Sequence, residues 1–211
     1  MEGKSRLLIV FVRNPAKGRV KKRLAARVGE EAALQIYQQL LEGLAAVLRE
    51  VEVQQEVHYS DFIPEQDLWG GKEKRLQEGE DLGERMAGAF QKGFQEGYRQ
   101  IVLIGSDLPY LSPQDLQAAF SALDKLDYVL GPAEDGGYYL IGMKSLNSKL
   151  FKNKNWGSSS VLQETLEELQ NDSLFLLEER RDLDTYEDLK AFPEFRNYLI
   201  STNDKINTGD N

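Results

Sequence analysis

Short apolar runs without polar interruption recur along this chain, and amphipathic helical segments separate most of them. The first run is "LLIVFV" (7–12). An unbroken apolar run of about four to eight residues signals a strand buried on both faces. "EEAALQIYQQLLEGLAAVLRE" (30–50) then places Leu34, Tyr37, Leu41, Leu44 and Leu48 at helical spacing. "VEVQQEVHYS" (51–60) predicts a second strand, and residues 61–78, with Pro, Gly-Gly and mixed charge, predict an irregular connection with at most one short element. "EDLGERMAGAFQKGFQEGY" (80–98) predicts a helix opened by Asp81 and Glu84 at capping-box spacing. "QIVLIGSDLP" (100–109) is an apolar strand ending in a polar turn. "SPQDLQAAFSALDKL" (112–126) has Ser112, Pro113 and Asp115 where a helix start needs them. Strands are expected at 127–132, 137–143 and 174–179, with helices at 158–170 and 185–192. Such an alternation admits few architectures. The expectation is an α/β domain over residues 1–195, a mostly parallel central sheet flanked by helices, followed by a polar tail at 196–211.

Charge is distributed unevenly. The 211 residues carry a formal charge of −9, yet residues 1–27 hold nine Lys or Arg against one Glu. From Arg13 to Arg27 there are seven basic residues and no acidic one. A nucleic-acid binder spreads positive charge over a broad face, whereas here it is confined to one loop, which suits a small anion. No run approaches the roughly 18–20 apolar residues that span a bilayer, and the apolar stretch at the N-terminus is too short for a signal peptide. With no cysteine, disulfides and thiolate metal sites are excluded. A cytoplasmic location is the expectation.

In an α/β sheet of this kind the site lies at the carboxyl ends of the strands. That rule puts the loop "VRNPAKGRVKKRL" (12–24) and the turn "GSDLP" on one edge. Gly18 permits a tight turn that brings backbone N–H groups to an anion, and Arg13, Lys17, Arg19, Lys21, Lys22 and Arg23 surround it with donors. The alternative is a solvated surface loop. Neither a Walker A loop nor G-x-G-x-x-G follows the first strand. Asp107, directly after a buried strand, is poised either to hold a hard cation or to close an Asx turn. In "GPAEDGGYYLIG", Asp135 is a candidate base or sugar contact. "RDLDTYEDL" sets Asp182 and Asp184 around Leu183, so that a carboxylate can face a site while the leucine faces the core. Thr185 and Asp188 also form a plausible capping box. "NWGSSSV" offers Trp156 either to a base or sugar ring or to the core. His58 is the single histidine, which excludes a multi-histidine zinc site.

Together "VFVRNPAKGRVKKRL", "GEDLGERMAGAF", "LIGSDLP", "GPAEDGGYYLIG", "WGSSSV" and "DLDTYEDL", in this order, resemble a bacterial family of glycosyltransferase-like proteins. It is the radical-SAM/selenodomain-associated transferase type. More remotely, the chain looks like the molybdenum-cofactor and phospholactate guanylyltransferases. The resemblance spans roughly residues 7–192 and implies the nucleotide-diphospho-sugar transferase (glycosyltransferase A) fold. It also implies roles. Arg13, Lys21 and Arg23 would contact phosphates; apart from the resemblance, Gly18, Ser106 and Trp156 are further candidate nucleotide contacts. Asp107 would bind Mg²⁺ or Mn²⁺ with Asp184, and Asp182 is the less favoured partner. Apart from the resemblance, Lys21, Asp107 and Asp135 are the candidates to serve the reaction. Where many glycosyltransferases carry a paired D-x-D, "GSD" supplies one aspartate.

The expected function is therefore metal-dependent transfer from a nucleotide or nucleotide-sugar donor to a small-molecule acceptor, with glycosyl transfer favoured. Nucleotidyl transfer, in which a phosphorylated acceptor attacks a nucleoside triphosphate and pyrophosphate leaves, uses the same anion machinery. A non-catalytic nucleotide-binding module is the remaining alternative, and nucleic acid is not an expected partner.

Overall fold

A computed structural model describes residues 5–199. Its centre is a seven-stranded sheet in the order β3-β2-β1-β4-β6-β5-β7. The strands are β1 (Arg6–Val12), β2 (Gln54–Tyr59), β3 (Glu73–Leu76), β4 (Gln100–Ile104), β5 (Tyr128–Pro132), β6 (Tyr138–Met143) and β7 (Leu174–Leu176). Strands β3, β2, β1 and β4 run parallel, β6 runs antiparallel to both β4 and β5, and β7 is parallel to β5. The sheet is thus mostly parallel, as the apolar runs predict. β6 reverses because only the turn at 133–137 joins it to β5, and so short a link cannot carry a parallel crossover.

The sheet has helices on both faces: α1 (Lys22–Val28), α2 (Glu30–Arg49), α4 (Pro113–Leu123) and α6 (Tyr186–Ala191) cover one, α3 (Leu82–Gln95) and α5 (Val161–Glu168) the other. β1 shows why its sequence is apolar throughout. Leu8, Val10 and Val12 pack with Leu24, Ile36, Leu116 and Leu189 on one side. Leu7, Ile9 and Phe11 pack with Met86, Phe90 and Phe151 on the other. Each fully buried side chain of this size is worth about 1.5–3 kcal/mol, so a one-residue slip of β1 would misplace both cores together.

Several helix boundaries follow their local signals. Ser112 and Asp115 form a complete capping box on α4, and Thr185 and Asp188 form another on α6. At α3 only half of the predicted box forms. Asp81 accepts from the Glu84 backbone, while the Glu84 carboxylate accepts from the Glu80 N–H instead. Other expectations need correction. α1 begins inside the segment read as an open basic loop, because Leu24 is drawn into the core. The strand expected at 174–179 stops at Leu176. Residues 196–199, assigned to the polar tail, are helical, and Tyr198 and Leu199 pack on the core. The rest of that tail, 200–211, lies outside the described residues.

β1 and β4 are neighbours, with Val10 opposite Ile104. The chain leaves β1 toward β2 on one side, while β4 lies on the other, so a crevice opens beyond their carboxyl ends. The basic loop and the "GSDLP" turn both emerge there. Among the described residues, no helix is long and apolar enough to cross a membrane.

Candidate active site

Tyr37 of α2 joins the two loops. Its hydroxyl lies 2.9 Å from Ser106 Oγ and accepts the Arg13 N–H at 2.9 Å. Burial, reinforced by the Asp107 charge, pushes the Tyr37 phenol well above its ordinary range, so it serves as a neutral strut. Helical spacing marked Tyr37 only as a core residue, since nothing local in the sequence signals a bridge between positions 13 and 106.

Lys21 then enters the centre of the edge. Its backbone is left-handed, with φ 48° and ψ 46°, and its side chain is only 2% exposed. The ammonium stands 2.5 Å from Asp107 Oδ1 and 3.9 Å from Asp184 Oδ1, yet makes no aligned hydrogen bond to either. The Tyr37 ring lies beneath it, 5.9 Å from the ring centre. Arg23 approaches the other oxygen of Asp184 at 3.4 Å from the solvent side.

A backbone bond ties the two acidic segments together: the Leu183 N–H donates to Asp107 O at 3.1 Å. Leu183 is fully buried, and the carboxylates on either side of it face the edge. Asp184 remains 44% exposed and Asp107 45%. Asp182 is only partly exposed, and its Oδ1 is sealed from solvent without a hydrogen-bond partner. Burial, reinforced by the charges of Asp107 and Asp135, pushes the Asp182 carboxyl up to about 7.

Three adjoining cavities share these residues. One of about 300 Å³ runs from Asp107, Asp135, Asp182 and Asp184 to an apolar wall that includes Leu82, Met86 and Trp156. A second, of about 430 Å³, lies between Arg13, Ser106 and Asp107 and the loop carrying Gln77, Asp81 and Arg85. A third, of about 340 Å³, is lined by Arg23, Asp135, Arg181, Asp182 and Asp184. Asp182 therefore borders all three.

Most residues singled out in the sequence meet here: Arg13, Lys21, Arg23, Ser106, Asp107, Asp135, Trp156 and Asp184. Gly18 does not line these cavities. It turns the loop at φ 74°, and the Glu30 carboxylate stands against it. Lys17 and Arg19 point away, toward Glu31 and Asp61. Asp135 accepts the Gly137 N–H at 2.9 Å, which holds the turn before β6. Trp156 is held against α3 because Gly83 has no Cβ; one built there would lie 2.7 Å from the indole nitrogen. The sequence reading passed over the Gln77–Arg85 side of the site. Its signal is the "GEDLGER" stretch, which predicts a helix start and belongs to the family resemblance but yields no candidate site residue.

Among the described residues, no three Asp, Glu, His or Cys side chains stand close enough together to hold a metal ion alone. The donor set still suits a hard cation. Asp107 and Asp184 offer carboxylate oxygens, and Asp182 lines the same cavities, with its Oδ1 unpartnered and sealed from solvent. Mg²⁺ characteristically takes one or two carboxylates and completes its shell with phosphate oxygens and water.

The fold has known counterparts. A protein from Desulfovibrio desulfuricans G20, provisionally named a nucleotide-diphospho-sugar transferase, is similar over 99% of both chains, at 29% identity and a TM-score of 0.85. A cytidylyltransferase from Leptospira borgpetersenii serovar Hardjo-bovis shares the fold at 16% identity and a TM-score of 0.56, over 100% of this chain and 99% of that one. A Mycobacterium tuberculosis H37Rv protein in complex with manganese shares it at 14% identity and a TM-score of 0.52, over 90% of this chain and 98% of that one. No curated protein sequence matches. The family model described as "Uncharacterized protein conserved in bacteria (DUF2064)" matches residues 43–158, and this chain belongs to that family.

Proposed function

We propose that this chain is a divalent-cation-dependent transferase that takes a glycosyl group from a nucleotide-diphosphate-linked sugar and gives it to a small-molecule acceptor. One observation carries the reading: Lys21, Asp107 and Asp184 converge at the carboxyl edge of β1 and β4, beside cavities large enough for a nucleotide and an acceptor. The likeness to the Desulfovibrio protein supports the same class.

In this reading Arg13 binds the diphosphate from the β1 loop, and Ser106 orients it from the β4 turn. Lys21 and Arg23 offset the negative charge that grows on the departing nucleoside diphosphate. Asp107 and Asp184, with Asp182 beside them, would hold Mg²⁺ or Mn²⁺, which would supply electrophilic stabilisation to the diphosphate. The bond between the anomeric carbon and the β-phosphate oxygen breaks, the acceptor oxygen bonds to that carbon, and its proton passes to a carboxylate. Asp135, exposed between two of the cavities, is placed to take it. Trp156 and the apolar wall beside it exclude water from the reacting carbon.

The test is product analysis. The protein is incubated with a panel of nucleotide sugars and, separately, of nucleoside triphosphates, each with Mg²⁺ or Mn²⁺ and candidate acceptors. Release of nucleoside diphosphate supports glycosyl transfer. Release of pyrophosphate would replace it by nucleotidyl transfer at the same site. Nucleotide binding without turnover across the panel would leave a binding module. Asp107→Asn is expected to abolish metal-dependent nucleotide binding, and undiminished affinity in Mg²⁺ removes Asp107 from the site.

A further inference from the structure

A lysine ammonium withdrawn from water needs anionic partners to stay charged. Lys21 finds them in Asp107 and Asp184, the same two carboxylates assigned above to the divalent cation. Ammonium and metal ion repel at such short range, so each weakens the other's hold on these carboxylates. Two further observations make the lysine's position conditional. Its ammonium meets Asp107 and Asp184 as an ion pair but makes no aligned hydrogen bond despite its burial, so some of its three donors remain for an incoming anion. Its backbone sits in the left-handed region, disfavoured for a residue with a β-carbon, and Gly18 nearby also has positive φ. Finally, no three carboxylates among the described residues form a metal cage without phosphate.

We propose that Lys21 is a tethered counter-cation that keeps the divalent site closed until a polyphosphate binds. Phosphate oxygens draw the ammonium off Asp107, and the freed carboxylate becomes available to the metal ion together with the phosphates. Cation and polyphosphate therefore bind with positive coupling, and an ion is not held in an idle site. This inference rests on the transferase reading of the same pocket and adds an order of events to it.

Manganese binding tests it without turnover. Free Mn²⁺ is read by electron paramagnetic resonance during titration of the wild type, Lys21→Met and Lys21→Arg, each with and without inorganic pyrophosphate. Circular dichroism checks that each variant is folded. Wild type is expected to bind Mn²⁺ about tenfold more tightly with pyrophosphate than alone, within the usual range of coupling between sites. Lys21→Met, which keeps the stem but loses the charge, is expected to bind Mn²⁺ alone about tenfold more tightly than wild type, with the coupling reduced accordingly. Lys21→Arg is expected to keep the wild-type pattern. Should Lys21→Met not fold, the wild-type titrations still decide: equal affinity with and without pyrophosphate overturns the proposal. A folded Lys21→Met that binds Mn²⁺ alone no better than wild type also overturns it, while the transferase reading stands if wild type takes up Mn²⁺ with pyrophosphate. Absence of Mn²⁺ binding in every arm overturns both.

Discussion

Replacing Asp182 by asparagine is expected to stabilise the metal-free protein, by an amount that depends on pH in a defined way. Burial, aided by Asp107 and Asp135, lifts this carboxyl from its ordinary 3.8 to about 7. The folded chain thus holds a proton there that the unfolded chain has already released. Below pH 4 both states are protonated and the group has no effect. Between about pH 4 and 7 the folded state binds more protons than the unfolded state, so stability falls as pH rises. Above 7 both states are ionised and the loss is complete. Each unit of displacement is worth about 1.4 kcal/mol, so about three units set a ceiling near 4 kcal/mol, and residual solvent access lowers it. Asparagine has the same outline and no charge to desolvate. Urea unfolding of wild type and Asp182→Asn in EDTA, from pH 4 to pH 8, measures the difference. The variant's advantage is expected to be near zero at pH 4, to grow through pH 7 and then to level off. An advantage of equal size at pH 5 and pH 8, or a variant less stable at pH 8, would refute the reasoning. Adding Mg²⁺ with pyrophosphate is expected to flatten the wild-type pH dependence, because a cation beside Asp182 compensates its charge.

Away from the site, Ser112→Ala is expected to cost about 1 kcal/mol by removing the cap of α4, read as a lower urea midpoint with unchanged slope. Gly136→Ala faces both a φ of 89° and a Cβ position 2.2 Å from Ser159 O. Because the obstacle is backbone, a loss of at least about 2 kcal/mol is expected in the same assay. Trp156→Phe removes the indole N–H, which has no partner in the fold, and also shortens the ring system that packs against Gly83 and Tyr138. Its thermal midpoint is expected to fall by about 2–4 °C, as for a loss of about 1 kcal/mol in a chain of this length, and an unchanged midpoint would show that the ring's packing contributes nothing.

The fold was legible in the sequence where local and global demands agree. "LLIVFV" is apolar at every position because β1 is covered on both faces, and the caps at Ser112 and Thr185 act within four residues of themselves. The basic loop was legible too, as charge concentrated where a strand ends. What the chain spacing could not reveal is how far each charge is taken out of water. Lys17 and Lys21 look alike in sequence, yet one is exposed and pairs with Glu31 while the other is buried against Asp107 and Asp184. Asp182 and Asp184 differ in the same way. The sequence reading favoured Asp184, whereas the fold gives Asp182 the sealed oxygen, the raised carboxyl and a place on all three cavities.

The sequence alone thus determined most of the strands and helices and which edge carries the charge. Those properties come from periodicity and capping, which act over one or two turns of chain. Tertiary structure alone decided that Tyr37 joins Arg13 to Ser106, that Leu183 is bonded to Asp107, and that Lys21 stands among the carboxylates. Each of those contacts brings together residues far apart in the chain. Their energies depend on burial and on the charges brought near, and neither quantity exists until the sheet and its helices have closed around the site.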